Sequence, residues 1–112
     1  MRRIYYANGS VLTDDMTCKA LLRYARALAE ADLADVVQVP AITEDGGTVY
    51  AHFLIGPASQ IFSVPVGEPS TEPLDTEIIE KLEAATARLH PARPEWPEEM
   101  TDVPDLDIPA FD

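Results

Sequence analysis

Tyr5-Tyr6-Ala7-Asn8-Gly9-Ser10-Val11-Leu12-Thr13-Asp14-Asp15 carries two structural signals back to back. Asn8-Gly9 tolerates positive φ at both central positions of a tight turn, and β-prone residues flank it, which predicts an antiparallel hairpin. Thr13-Asp14-Asp15 then offers an N-cap and two carboxylates for the positive end of a helix. That helix is predicted from Asp15 to about Ala31, in a stretch rich in Ala, Leu and Arg. Helical periodicity puts Thr17, Cys18, Leu21, Tyr24, Ala25 and Leu28 on one face, and Lys19, Arg23, Arg26 and Glu30 on the opposite one.

Three strand-like runs follow. Val36-Val37-Gln38-Val39-Pro40-Ala41-Ile42 contains a proline, which predicts an edge strand or a bulge. After Glu44-Asp45-Gly46-Gly47, the run Thr48-Val49-Tyr50-Ala51-His52-Phe53-Leu54-Ile55 is apolar on both of its alternating sides. That pattern predicts a central strand covered on both faces, or one covered on one face and dimeric on the other. Gly56-Pro57-Ala58-Ser59 turns into a third run, Gln60 to Val66. A second helix is predicted from about Asp75 to His90, with Ile78, Leu82, Ala85 and Leu89 on its buried stripe. Glu77 and Glu80 sit early in it and Arg88 late, the favourable sense for the helix dipole. The reading is therefore an α+β fold of order ββαβββα: an antiparallel sheet of about five strands, two helices on one of its faces, and an extended acidic tail.

The chain has 112 residues, 20 acids against 8 bases, a net charge of −12, ten prolines and one cysteine. It is long enough for one small core. No run approaches the roughly 20 apolar residues of a membrane span, so no membrane insertion is expected. Met1-Arg2-Arg3-Ile4-Tyr5 breaks too early to read as a signal peptide. Cys18 has no partner for a disulfide, which fits a reducing, cytoplasmic setting. The acid excess excludes broad phosphate-backbone binding, so no nucleic-acid partner is expected.

Composition changes near His90, dividing the chain into a small domain over 1–90 and a tail over 91–112. The tail holds five prolines and seven carboxylates against Arg93 alone. Proline stiffness and charge repulsion keep such a stretch from forming a core. Trp96, Met100, Val103, Leu106, Ile108 and Phe111 are set among its acids, in the manner of linear motifs that order on binding. Leu106-Asp107-Ile108-Pro109-Ala110-Phe111 resembles the C-terminal tail peptide of the bacterial tubulin-like cell-division GTPases. The resemblance implies docking into grooves of division proteins, with Ile108 and Phe111 as anchors and Pro109 holding an extended shape. It covers six residues; Asp112 stands where the family continues with basic residues. The order αβββα from the first helix onward is similar to the double-stranded-RNA-binding domain. That family's basic cluster at the start of its last helix is replaced here by Asp75-Thr76-Glu77, so its function does not carry over.

Catalytic chemistry is thinly supplied. Cys18 and His52 are the only nucleophile–base candidates, and a cysteine on an apolar helix face reads first as a small buried hydrophobe. Histidine and cysteine spacing does not suit zinc, and Asp102, Asp105 and Asp107 do not match a calcium loop. The glycines form no phosphate-binding loop, and no cofactor is expected. Lys19, Arg23 and Arg26 make a basic stripe on the first helix. It reads as a solvated face, or as the seat of an acidic partner such as the chain's own tail. The reading that results is a non-enzymatic interaction module with a protein partner and a possible homodimer contact. Trp96, Ile108 and Phe111 make the primary contact, and Lys19, Arg23 and Arg26 the secondary one. An acidic inhibitor or nucleic-acid mimic, and a small-molecule binder or enzyme with a pocket near Tyr50, His52 and Phe62, are the alternatives.

Overall fold

The structure, a computed structural model, describes residues 1–69 and 72–89. His90 and the whole tail, including Trp96, Ile108, Phe111, Asp102, Asp105 and Asp107, lie outside the described residues. The elements are β1 (Arg2–Tyr6), β2 (Gly9–Thr13), α1 (Asp15–Ala31), β3 (Asp35–Ile42), β4 (Thr48–Ile55), β5 (Ile61–Pro65) and α2 (Thr76–Leu89). They form the expected α+β fold, one five-stranded antiparallel sheet with two helices. The spatial order is β4-β3-β2-β1-β5. Consecutive strands usually pair, but β5 leaves β4 and crosses to β1, with Ile4 opposite Ser63 and Tyr5 opposite Phe62.

The core lies between the sheet and the helix layer. Ile4, Val37, Val39, Phe53 and Ile55 point inward from the strands and meet Cys18, Leu21, Tyr24 and Leu28 of α1 and Ile78, Ile79 and Leu82 of α2. Fully burying an aliphatic or aromatic side chain of this size contributes roughly 1.5–3 kcal/mol. Ala20 and Ala27 are buried as well, so α1 is covered over a wider arc than the single stripe read from its periodicity, since α2 packs along its flank.

Asp14 ties the helix layer together. It is the N-cap of α1 and is fully buried. Its carboxylate accepts from the Thr17 amide at 2.6 Å, the Thr17 hydroxyl at 2.8 Å and the Leu74 amide at 2.7 Å. One side chain thus satisfies an orphan donor of α1 and holds the chain entering α2, so both helices begin at the same end of the sheet. At its other end α1 closes on Asp32, in the left-handed region (φ 60°, ψ 44°), with the Leu33 amide donating to the Leu28 carbonyl at 3.0 Å. This is a Schellman-type stop with aspartate where glycine is usual.

Three local expectations are corrected. The β1–β2 turn centres on Ala7 and Asn8, with Tyr6 opposite Gly9, and the positive φ (55°) falls on Ala7 rather than on Asn8-Gly9. The two registers differ by two residues and face the same side chains inward, so alternation cannot separate them. The observed register places Asp14 where it caps α1 and holds Leu74. Second, β3 is not an edge strand, and its register with β4 runs unbroken from Asp35 to Ile42, without a bulge. Pro40 is tolerated because β3 meets β2 at a single bridge, Leu12 to Ile42, so the missing amide interrupts no ladder there. Third, β4 is an edge strand, not a central one. Its Phe53 and Ile55 are buried, while Tyr50, His52 and Leu54 on the other side are exposed.

Candidate functional groove

The single β2–β3 bridge divides the sheet into two ribbons, β5-β1-β2 and β3-β4, joined at one corner. Away from that corner Tyr6 draws them together. Its ring stacks on Phe53 with centroids 5.3 Å apart, and its hydroxyl donates to the Leu54 carbonyl. The Ser59 hydroxyl lies 3.2 Å from the Tyr6 hydroxyl oxygen and accepts from the Gly56 amide at 2.9 Å. The Gly56–Gln60 connection is thereby fastened to β1.

On the sheet face away from the helices these constraints shape an open groove of about 740 Å³. Tyr5 and Phe62, directly opposite in the register, form its floor as a stacked pair with centroids 4.8 Å apart. Such pairs contribute about 0.5–1.5 kcal/mol beyond their burial. Leu54 of β4, Ala34 before β3, and Gly56 to Gln60 complete the walls. Among the described residues no charged side chain lines it; the polar groups are the Tyr5, Tyr6 and Ser59 hydroxyls and the Gln60 amide.

The surroundings share this character. Leu54 (62%), Phe62 (58%) and Val36 (57%) are more than half exposed on the uncovered face, and Val64 is exposed beside them. Of all the strand residues Asp35 is the only acid; it has the parity of the covered face and accepts from the Tyr24 hydroxyl at 2.6 Å. Among the described residues no strand carboxylate therefore has the parity of the uncovered face; Asp75 reaches its β4 edge through the Tyr50 hydroxyl, and the strand cation there is Arg3, whose guanidinium donates to the Ser10 hydroxyl at 3.3 Å.

Of the residues singled out from sequence, Phe62 lies in the groove. Tyr50 and His52 share the face of Leu54 but do not line it. The Tyr50 hydroxyl instead donates to Asp75 at 2.8 Å, at the start of α2, and this bond raises its pKa. Cys18 and His52 are not brought together: Cys18 is buried on α1 against the inner side of the sheet, and His52 is exposed on the outer side. Burial pushes the Cys18 thiol up, with Ser63 and Arg2 partly opposing, so the nucleophilic thiolate is disfavoured. Lys19 and Arg26 are exposed on α1 and Arg23 is half-buried. Arg26 is engaged by Glu30 at 3.1 Å, the supporting i,i+4 pair expected of a solvated helix face.

Sequence reasoning missed Tyr5, Leu54 and Ala34 as groove residues. The double-sided apolar pattern of β4 was the available signal, but which side stays bare depends on where the helices pack. Among the described residues no cluster of three or more His, Cys, Asp and Glu side chains is placed to hold a metal ion. None of their helices is long and apolar enough to cross a membrane. No family model, curated protein or solved structure matches this chain.

Proposed function

We propose that the protein is a non-enzymatic interaction module that docks a protein partner on the uncovered face of its sheet. The observation that carries this reading is the apolar groove of Tyr5, Leu54 and Phe62, which no described carboxylate lines, in a chain whose acids outnumber its bases by 20 to 8. Exposed apolar surface around a groove is what protein interfaces bury, at roughly 25 cal/mol per Å² before association costs. A groove lined by hydroxyls, one amide and hydrocarbon accepts an apolar side chain and offers no strong base to a reaction. An acidic mimic would present carboxylates at its contact; no described carboxylate lines this groove, which favours the docking reading over mimicry. Lys19, Arg23 and Arg26 make the weaker site, since Arg26 already has an ionic partner.

A photoreactive amino acid placed at Leu54 or at Phe62 tests this in cells. We expect covalent adducts with another protein from both positions and none from Glu83, exposed on α2. Adducts should survive an increase in salt that shortens the Debye length from about 14 Å to about 6 Å, since apolar contact is screened little. Adducts from Glu83 alone, or their loss on adding salt, would exclude the docking face.

A further inference from the structure

The geometry points to a resident of this groove: we infer that the chain's own C-terminal segment, Trp96 to Phe111, occupies it in cis until a partner displaces it. The inference rests on the reading of the groove as a protein-docking site and names its first occupant.

The first support is where α2 ends. Arg88, in its last turn, lies close enough to Tyr24 to act on its phenol electrostatically, and Tyr24 donates to Asp35 at the start of β3. Ala34, the residue before that strand, lines the groove. The last turn of α2 therefore lies at the end of the molecule where β3 begins, the end that also carries Ala34. Trp96 follows Leu89 by seven residues, a reach of up to about 24 Å when extended.

The second support is chemical. The segment sets Trp96, Leu106, Ile108 and Phe111 among carboxylates. It needs a site that takes apolar side chains and holds no acid, and the groove meets both conditions. Arg3 on the same face supplies positive charge at its margin. A helix face rich in Glu77, Glu80 and Glu83, by contrast, would repel the segment. The third support is concentration. Tethering gives the segment an effective concentration in about the millimolar range, which a second copy in dilute solution does not reach.

Trp96 is the only tryptophan, so its fluorescence reports the segment alone. A cis contact with an intrinsic Kd of about 0.2 mM, met by an effective concentration of about 1 mM, is closed most of the time. Acrylamide quenching of the full chain should then be roughly sixfold weaker than that of the peptide 90–112, at any dilution. Phe62→Ser and Leu54→Ser, at exposed positions that leave the core untouched, should each restore the quenching of the free peptide, with circular dichroism confirming the fold. Quenching equal to that of the peptide in the unmodified chain overturns the inference, and so does protection lost on dilution, which would identify a second copy. Protection lost in Lys19→Ala/Arg23→Ala but kept in both groove variants also overturns it. If Trp96 is free while Leu54 and Phe62 still cross-link to another protein, the docking face stands and only its occupancy in cis is wrong.

Discussion

Tyr24 shows how one hydroxyl links the helix layer to the sheet. Periodicity alone puts it on the buried face of α1, but its partner Asp35 lies eleven residues on, beyond a turn whose path no local rule specifies. Burial first, and then the bond and charge of Asp35, push the Tyr24 phenol up to about 12, with Arg88 opposing. The folded pKa thus lies above the unfolded value of about 10. The neutral phenol is what the fold prefers, so this contribution is complete below about pH 10 and is lost as pH rises toward and through about 12. Urea unfolding of the native chain should show an added loss of stability across that window, at most about 3 kcal/mol, that is absent in Tyr24→Phe. At neutral pH the same substitution should cost about 1 kcal/mol for the lost hydrogen bond. Parallel pH profiles for the two proteins would rule out the coupling.

At the scale of elements, what was legible is what local chemistry controls. Asp14 as a cap, Ala31 as the last residue of α1 and the span of α2 all follow from capping and periodicity over a few residues. Pairing was less legible. The crossing of β5 to β1, the interior place of β3 and the turn at Ala7-Asn8 depend on contacts distant in sequence, which override the preference of Asn-Gly and of a strand proline. Asp14 connects the two regimes, because a cap readable from sequence also accepts the Leu74 amide sixty residues away. Asp14→Ala removes the cap, for about 1–2 kcal/mol, and leaves the part-buried Leu74 donor without its acceptor, for a further 1 kcal/mol or so. We expect a total loss of roughly 3 kcal/mol by denaturant titration. Amide exchange should rise at both helix starts together; a rise confined to α1 would show that the bridge to Leu74 carries no weight.

For the whole molecule the governing fact is where its charge lies. The acids populate loops, helices and the C-terminal segment and spare the strands, apart from Asp35. The sequence showed that β4 is apolar on both sides. It could not show that the helices cover the Phe53 side and leave the Leu54 side bare, which is what makes the groove. Repulsion among like-charged copies opposes association, and among the described residues it is weakest at the groove, which no acid lines. Removing residues 90–112 takes away seven carboxylates and one arginine, and every residue of the core cluster is retained. If that segment also covers the groove, both changes favour self-association, and salt separates them. At low ionic strength charge and cover act together; near 1 M, where the Debye length is about 3 Å, the charge difference is screened and only the cover remains. Sedimentation should find the shortened chain more associated than the full chain at both salt levels, and Phe62→Lys in the shortened chain should return it to monomer. A difference that vanishes at high salt would mean that the segment acts through its charge alone and leaves the groove bare.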